Sequence, residues 1–281
     1  MTRATLAEVL HPALEKRYAV AGVVCLGWED ARAYVSAAEA ERAPIILQAG
    51  PGCRAHTPIS VIGAMFRHLA DAASIPVVLH LDHGATLEEA QAALAEGFTS
   101  IMFDGSSLPL DQNIRKTAEI VKLARSHGAS SEGEVGFVGY DNGAASALTE
   151  PVDAMRFASE TGVDAMAVAV GNVHLQQNPG DGIDEQALAG IAKATNGQVP
   201  LVIHGGSGVP ALQRAALAKS SPICKFNIGT ELRMVFGQAL RRRVNDGTNE
   251  FDRLALLSSV HDPLAQTLRG ILRQIGSSDR Y

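Results

Sequence analysis

The chain has 281 residues, 46% hydrophobic and 19% charged, which supplies apolar surface for one large core or two modest ones and excludes a disordered chain. Its formal net charge is −6 and no long basic run occurs, which excludes a nucleic-acid binder or a protein held on an anionic membrane surface.

The opening MTRATLAEVLHPALEKR is amphipathic and has no uninterrupted apolar stretch of the signal-peptide kind. Nowhere do about 18 apolar residues run together, so no membrane span is predicted and a cytoplasmic protein is expected. Cys25, Cys53 and Cys224 are an odd set without CxxC spacing, so neither a disulfide framework nor a zinc knuckle is written here.

In chain order, short apolar runs predict strands at 18–24 (YAVAGVV), 43–49 (APIILQA), 75–81 (IPVVLHL), 99–105 (TSIMFDG), 129–135 (ASSEGEV), 164–170 (DAMAVAV), 199–205 (VPLVIHG) and 223–229 (ICKFNIG). Helix-period segments lie between them, among them LEEAQAALAEG, NIRKTAEIVKLARSHG, VDAMRFASETG and DEQALAGIAKATNG, each closing on a glycine suited to a helix C-cap. Near-continuous apolar strands alternating with helices mean a parallel sheet covered by helices. Eight such units at this length predict one (β/α)8 barrel spanning residues 1–281 as a single domain. A doubly wound open sheet is the alternative, weakened because no GxGxxG follows the first strand. Residues 136–150 (GFVGYDNGAASALTE) form the longest stretch without apolar periodicity and are expected to be a mobile active-site loop. Arg241 to Arg243 end a helical pattern and read as a solvated last turn.

Active sites of such barrels sit at the C-terminal strand ends. There the third strand offers Asp82 and His83, the fourth Asp104, the fifth Glu134, the seventh His204 and the eighth Asn227, while the sixth leads into His174. One strand-end histidine is usually a hydrogen-bonded structural residue, but three on one rim make a divalent-metal site, with imidazole suited to zinc. His80, inside its strand, reads as a hydrogen-bonding partner of the ligands, and His11, His56, His68, His127 and His261 as surface or packing residues. The turns HGGSG (204–208) and NIGT (227–230) follow the seventh and eighth strands, where backbone N–H groups and helix dipoles favour phosphate; Ser207 and Thr230 add hydroxyls. A plain tight turn accounts equally for GGSG taken alone. Asp82 beside His83 is the best placed acid/base, or else a carboxylate that orients its neighbour.

The set HLDHG (80–84), FDGS (103–106), EGEVG (132–136), VGNVHL (170–175), VIHGGSG (202–208) and KFNIGTEL (225–232) resembles the class II, zinc-dependent ketose-bisphosphate aldolases of the fructose- and tagatose-bisphosphate type, in unbroken order over roughly residues 5 to 280. The resemblance implies Asp82 as the proton donor and acceptor, and His83, His174 and His204 as ligands of one catalytic Zn2+. It implies a grip on dihydroxyacetone phosphate from Gly205, Gly206 and Ser207 and from Asn227, Ile228, Gly229 and Thr230. Asp104 and Glu134 match acids that in some members hold a second cation, divalent or monovalent, and Ser106 stands in the DGS turn. The implied reaction is reversible retro-aldol cleavage of a ketose phosphate to dihydroxyacetone phosphate and an aldehyde such as glyceraldehyde 3-phosphate, zinc stabilising the enediolate. Asp141, on the predicted loop, is the candidate lid residue. A homodimer or homotetramer acting on a small sugar phosphate, without nucleic-acid or membrane partners, is expected. Leu175 departs from the pattern, which has glycine directly after the second histidine. The alternatives are a metal-dependent sugar-phosphate isomerase or epimerase and a non-catalytic sugar-phosphate-binding relative.

Overall fold

The computed structural model describes residues 2–141, 143–178, 180–246 and 251–281. Eight parallel strands follow one another around a closed barrel: β1 (Val20–Val24), β2 (Ile45–Ala49), β3 (Val77–Gly84), β4 (Ser100–Phe103), β5 (Ser130–Val135), β6 (Ala165–Val168), β7 (Leu201–Ile203) and β8 (Ile223–Ile228). Every neighbouring pair is parallel, and β8 returns to pair with β1, Asn227 opposite Gly22. Each predicted strand falls inside its apolar run except β3, which continues three residues further to Gly84. A register irregularity between Leu81 and Gly84 allows this, because the extra residue bends the strand end without breaking the ladder.

Helices cover the outside, and their predicted ends hold. The glycines closing the four quoted segments, Gly97, Gly128, Gly162 and Gly197, all have left-handed φ between 58° and 79°. The Ala-rich faces bury against the strands as one continuous apolar layer. A separate apolar cluster fills the base, where Leu6, Val9, Leu10 and Ala13 of the helix Leu6–Lys16 meet inward-facing Val20, Ile46, Val78, Ala165 and Val202. That helix therefore plugs the N-terminal end of the barrel and leaves the other end open. Successive inward side chains on one strand are two residues apart, so the lumen is layered, apolar below and polar above. Gly22 shows how full the upper layers are: a Cβ there would lie 2.7 Å from Gln48 Oε1 and 2.8 Å from Lys225 Cε. Among the described residues no helix is long and apolar enough to cross a membrane.

Candidate functional site

The lower polar layer holds an ion pair sealed from solvent. Lys225 Nζ donates to Glu132 Oε2 at 2.6 Å and to His80 Nε2 at 3.3 Å, and all three side chains are fully buried. Burial would raise the Glu132 carboxyl, but Lys225 and His204 outweigh it and hold the group well below the usual carboxylate range. His80 is pushed down to about 3, first by burial and then by the Lys225 cation. It is therefore a neutral ring, with Nδ1 2.7 Å from Ser100 Oγ.

Above this layer the three histidines converge. His83, His174 and His204 each offer a ring nitrogen within 4.8 Å of the others, and ring centroids lie 4.7 to 5.6 Å apart. Each ring is steered by a partner. His83 Nδ1 lies 2.7 Å from Asp104 Oδ2, while Asp104 Oδ1 accepts from the Ser106 N–H and hydroxyl. His204 Nε2 lies 3.1 Å from Glu132 Oε1, and Tyr140 stacks on His174 at 5.0 Å between centroids. His204 Nδ1 and Glu134 Oε2 are buried 3.0 Å apart yet misaligned for a hydrogen bond, so both atoms lack a partner and face a common point. Such an orphaned pair beside two more imidazoles fits a cation. His83, Asp104 and Glu134 also present donor atoms within 4.8 Å of one another. The charges pull the rings apart in basicity. Burial lowers His174 to about 3, helped by the other two histidines, whereas for His204 the Glu132 and Glu134 carboxylates outweigh burial and lift it to about 10. The ring with the most neighbouring carboxylate is the most basic, so a cation held there would displace a proton from His204, whereas His174 is neutral and able to ligate as it stands.

Asp82 sits beside this cluster with one oxygen tied and the other open. Oδ1 accepts from Gln48 Nε2 at 2.9 Å and Asn227 Nδ2 at 3.3 Å, whereas Oδ2 faces the backbone of Gly50 across the cavity wall. Burial would raise its pKa, but His83, His204 and Lys225 prevail and lower it, so the carboxylate is ionised at neutral pH. The strand end carrying it is clamped from outside by Arg54, whose guanidinium donates to the carbonyls of Ala49, Asp82 and His83 at 2.6, 2.7 and 3.0 Å. His83 itself has φ of 50°, a left-handed value that costs a non-glycine residue on the order of 1 kcal/mol and needs such support.

Asp82, His83, Asp104 and His174 line one wall of a cavity of about 480 Å³ at the C-terminal mouth, with Gly205, Ser207, Asn227, Gly229 and Thr230 on another. Gly206 lies buried just behind and Ile228 is fully buried, so neither residue lines the cavity. The 3₁₀ turn Gly206–Gly208 and the helix Thr230–Val244 both point their N-termini here, and Ser207 Oγ accepts from the N–H groups of Gly229 and Glu231. Leu175, half exposed at the rim, holds φ of 60°. The backbone shape that glycine adopts freely is kept here with a side chain added to the cavity wall.

The loop from Gly136 to Thr149 is held at more points than its composition suggests. Phe137 and Ala147 exchange two backbone bonds, and Thr149 Oγ1 donates to Val135 O. Asp141 N donates to His174 O and His174 N to Gly139 O, which stitches the loop to the segment carrying the second histidine. Tyr140 lines the cavity; Asp141, exposed at the tip, does not, and Asn142 lies outside the described residues. None of His11, His56, His68, His127 and His261 lines the cavity, and all are exposed or half-buried. Glu132, Lys225, Gln48 and Arg54 were not singled out from the sequence. The first two stand two residues before Glu134 and Asn227, so the period-2 rule places them on the same inward face and was the available signal. For Arg54, on a helix outside the barrel, no such signal exists.

Comparison with known proteins adds four findings. Residues 4–280 match the family described as fructose-bisphosphate aldolase class-II. The fructose-bisphosphate aldolase of Geobacillus stearothermophilus is 31% identical, the match covering 100% of this chain and 99% of that one. The 6-phospho-5-dehydro-2-deoxy-D-gluconate aldolase of Shouchella clausii is 33% identical over 98% and 95% of the two chains. Among solved structures, the YdjI aldolase from Escherichia coli K12 superposes with a TM-score of 0.86 at 28% identity, covering 99% of each chain.

Proposed function

The chain belongs to the class-II fructose-bisphosphate aldolase family and is a carbon–carbon lyase, and from that membership we propose that it cleaves a ketose phosphate reversibly to dihydroxyacetone phosphate and an aldehyde. The observation that supports this reading best is the cluster of three imidazoles, two of them (His83 and His174) on the cavity wall and His204 buried against them, beside one ionised carboxylate, Asp82, in a cavity that also receives two N–H-rich turns. Membership decides for cleavage over the isomerase and sensor alternatives. Relatives named for two different aldolase substrates are about equally similar to this chain, so the aldehyde is the open variable.

His83, His174 and His204 would hold a divalent ion, zinc being among those that imidazole donors suit and the one the family resemblance implies. Such an ion supplies Lewis-acid polarisation of a substrate carbonyl and hydroxyl. The protein's own groups do the rest. Asp82 Oδ2, free of hydrogen bonds among the described residues while Oδ1 is fixed by Gln48 and Asn227, removes a proton from a substrate carbon or hydroxyl and returns it. Asp104 and Glu132 fix which nitrogens of His83 and His204 face the centre. Glu134 and Asp104 are the groups for a second cation. Gly205, Ser207, Asn227, Gly229 and Thr230, which line the cavity, would take the phosphate through N–H and hydroxyl donors, the Gly229 N–H exchanging Ser207 Oγ for a phosphate oxygen, with Gly206 and Ile228 shaping the two turns from behind. Residues 1–281 act as one barrel domain, in a cytoplasmic homodimer or homotetramer, by analogy with the family.

Metal removal tests the centre. Chelation should abolish cleavage of a ketose bisphosphate, and zinc or cobalt should restore it; full activity in a metal-free sample would overturn the reading. A screen of aldehydes against dihydroxyacetone phosphate, scored by the condensation product, then identifies the aldehyde half.

A further inference from the structure

We propose that Arg233 is the cation of the phosphate cradle and sets the preference for a phosphorylated over an unphosphorylated ketose; this rests on the aldolase reading above. Arg233 is the only lysine or arginine that lines the main cavity among the described residues. It stands on the first turn of the helix Thr230–Val244, and its guanidinium lies across the phosphate turn: a Cβ on Gly229 would be 3.2 Å from Arg233 Nη2.

The other cations near the mouth are committed elsewhere. Arg54 is spent on three strand-end carbonyls, and Lys225 is paired with Glu132 in the layer below. Arg214 takes Glu231, the acid closest in sequence to Arg233, and also donates to Gly206 O. Asp30, on the far side of Arg233, accepts from the N–H groups of Leu26, Gly27 and Ala31. Arg233 thus has no carboxylate within ion-pair distance among the described residues, although an acid stands two positions away. A phosphate monoester carries about −1.5 to −2 charges at pH 7, and a helix N-terminus offers only about half a positive charge. Backbone donors alone leave that anion under-compensated. A guanidinium at the edge of the same turn completes it with a planar fork of donors that suits phosphate oxygens.

The test uses the zinc-loaded protein, with inorganic phosphate and dihydroxyacetone phosphate as probes in calorimetry, and wild type, Arg233→Ala and Arg233→Lys as variants. Arg233→Ala is expected to weaken both probes by about ten- to a hundred-fold, the range of one charge-assisted hydrogen bond. The kinetic preference for dihydroxyacetone phosphate over dihydroxyacetone should fall by the same factor, through KM rather than kcat, with metal content and thermal midpoint at wild-type values. Arg233→Lys should recover most of the affinity. Binding unchanged in Arg233→Ala, or equal losses for the phosphorylated and unphosphorylated ketose, would overturn the role of Arg233 and leave the aldolase reading intact. A wild type that binds neither probe would overturn both.

Discussion

Of the two carboxylates that line the cavity, Asp82 and Asp104, only Asp82 keeps an oxygen without a hydrogen bond among the described residues; Glu134, behind the wall, leaves Oε2 facing His204. Glu132 has both oxygens bonded by cations or imidazoles, and Asp104 has both bonded by His83 and Ser106. Asp82 keeps Oδ2 free on the cavity side. A carboxylate fully satisfied by the protein orients a neighbour, whereas one with an open oxygen can move a proton. Asp82→Asn retains the shape and an oxygen for Gln48 while removing the base. Turnover is expected to fall by roughly a hundred- to ten-thousand-fold, the usual contribution of a general acid/base. Zinc content, measured by atomic emission, should stay near wild type because the ligand partners Asp104 and Glu132 are untouched. Loss of zinc along with turnover would make Asp82 an orienting group and move the search for the proton carrier to Glu134 or Asp141.

The loop Gly136 to Thr149 is the element whose behaviour the fold constrains most specifically. Its base is fixed by the Phe137–Ala147 pair, so any motion belongs to the tip around Tyr140, Asp141 and Gly143. Because Asp141 N donates to His174 O and Tyr140 stacks on the His174 ring, tip movement and ring orientation are mechanically joined. We propose that the tip closes over a bound sugar phosphate and excludes water from the reacting carbon. Amide exchange at the tip should slow when a ketose phosphate analogue binds, with little change at Thr149, already held through Val135 and Ala169. Asp141→Ala should lower cleavage of the full sugar more than proton exchange on dihydroxyacetone phosphate, since only the former needs a group on the aldehyde side. Equal losses in both assays, or exchange unchanged by ligand, would rule this out.

The whole molecule closes through its C-terminal segment. Helix His261–Gln274 packs on helix Trp28–Ala40, and the two are riveted by Glu41, which accepts from Arg269, Arg273 and the Ser278 hydroxyl. The backbone of Asp279 donates to Glu41 O, and those of Arg280 and Tyr281 to Arg42 O. The Arg273 hydrogen bond leads in holding the Glu41 carboxyl at about 2, against a free glutamate near about 4.3. A lowered folded pKa means the stabilisation is complete above the unfolded value and is lost as pH falls through the folded one. Glu41→Gln is therefore expected to cost about 1–3 kcal/mol near pH 7. The gap to wild type should narrow between about pH 4.3 and pH 2, read as the difference in urea midpoints. A pH-independent gap would mean that Glu41 acts through packing rather than charge.

Eight strands, their helical connections and the C-terminal face as the place for chemistry were legible in the sequence, because apolar period and glycine caps are local properties of a few consecutive residues. His83, His174, His204 and Asp82 were legible as candidates because strand ends of a barrel share one rim whatever their separation along the chain. What period and position do not carry is partnership. That Glu132 rather than solvent faces His204, that Lys225 is sealed beneath it, and that Arg54 holds the strand end of His83 depend on contacts 29 to 93 residues apart. The loop taken from composition as mobile is stitched to His174 by backbone bonds that composition cannot encode. The sequence by itself brought Asp82, His83, Asp104 and His174 to one rim as candidates, because strand-end position is a local property. Only the closed tertiary structure decided which oxygen of Asp82 has no hydrogen bond and that the arginine lining the cavity has no carboxylate partner among the described residues, because both follow from what the neighbouring polar groups have already bonded.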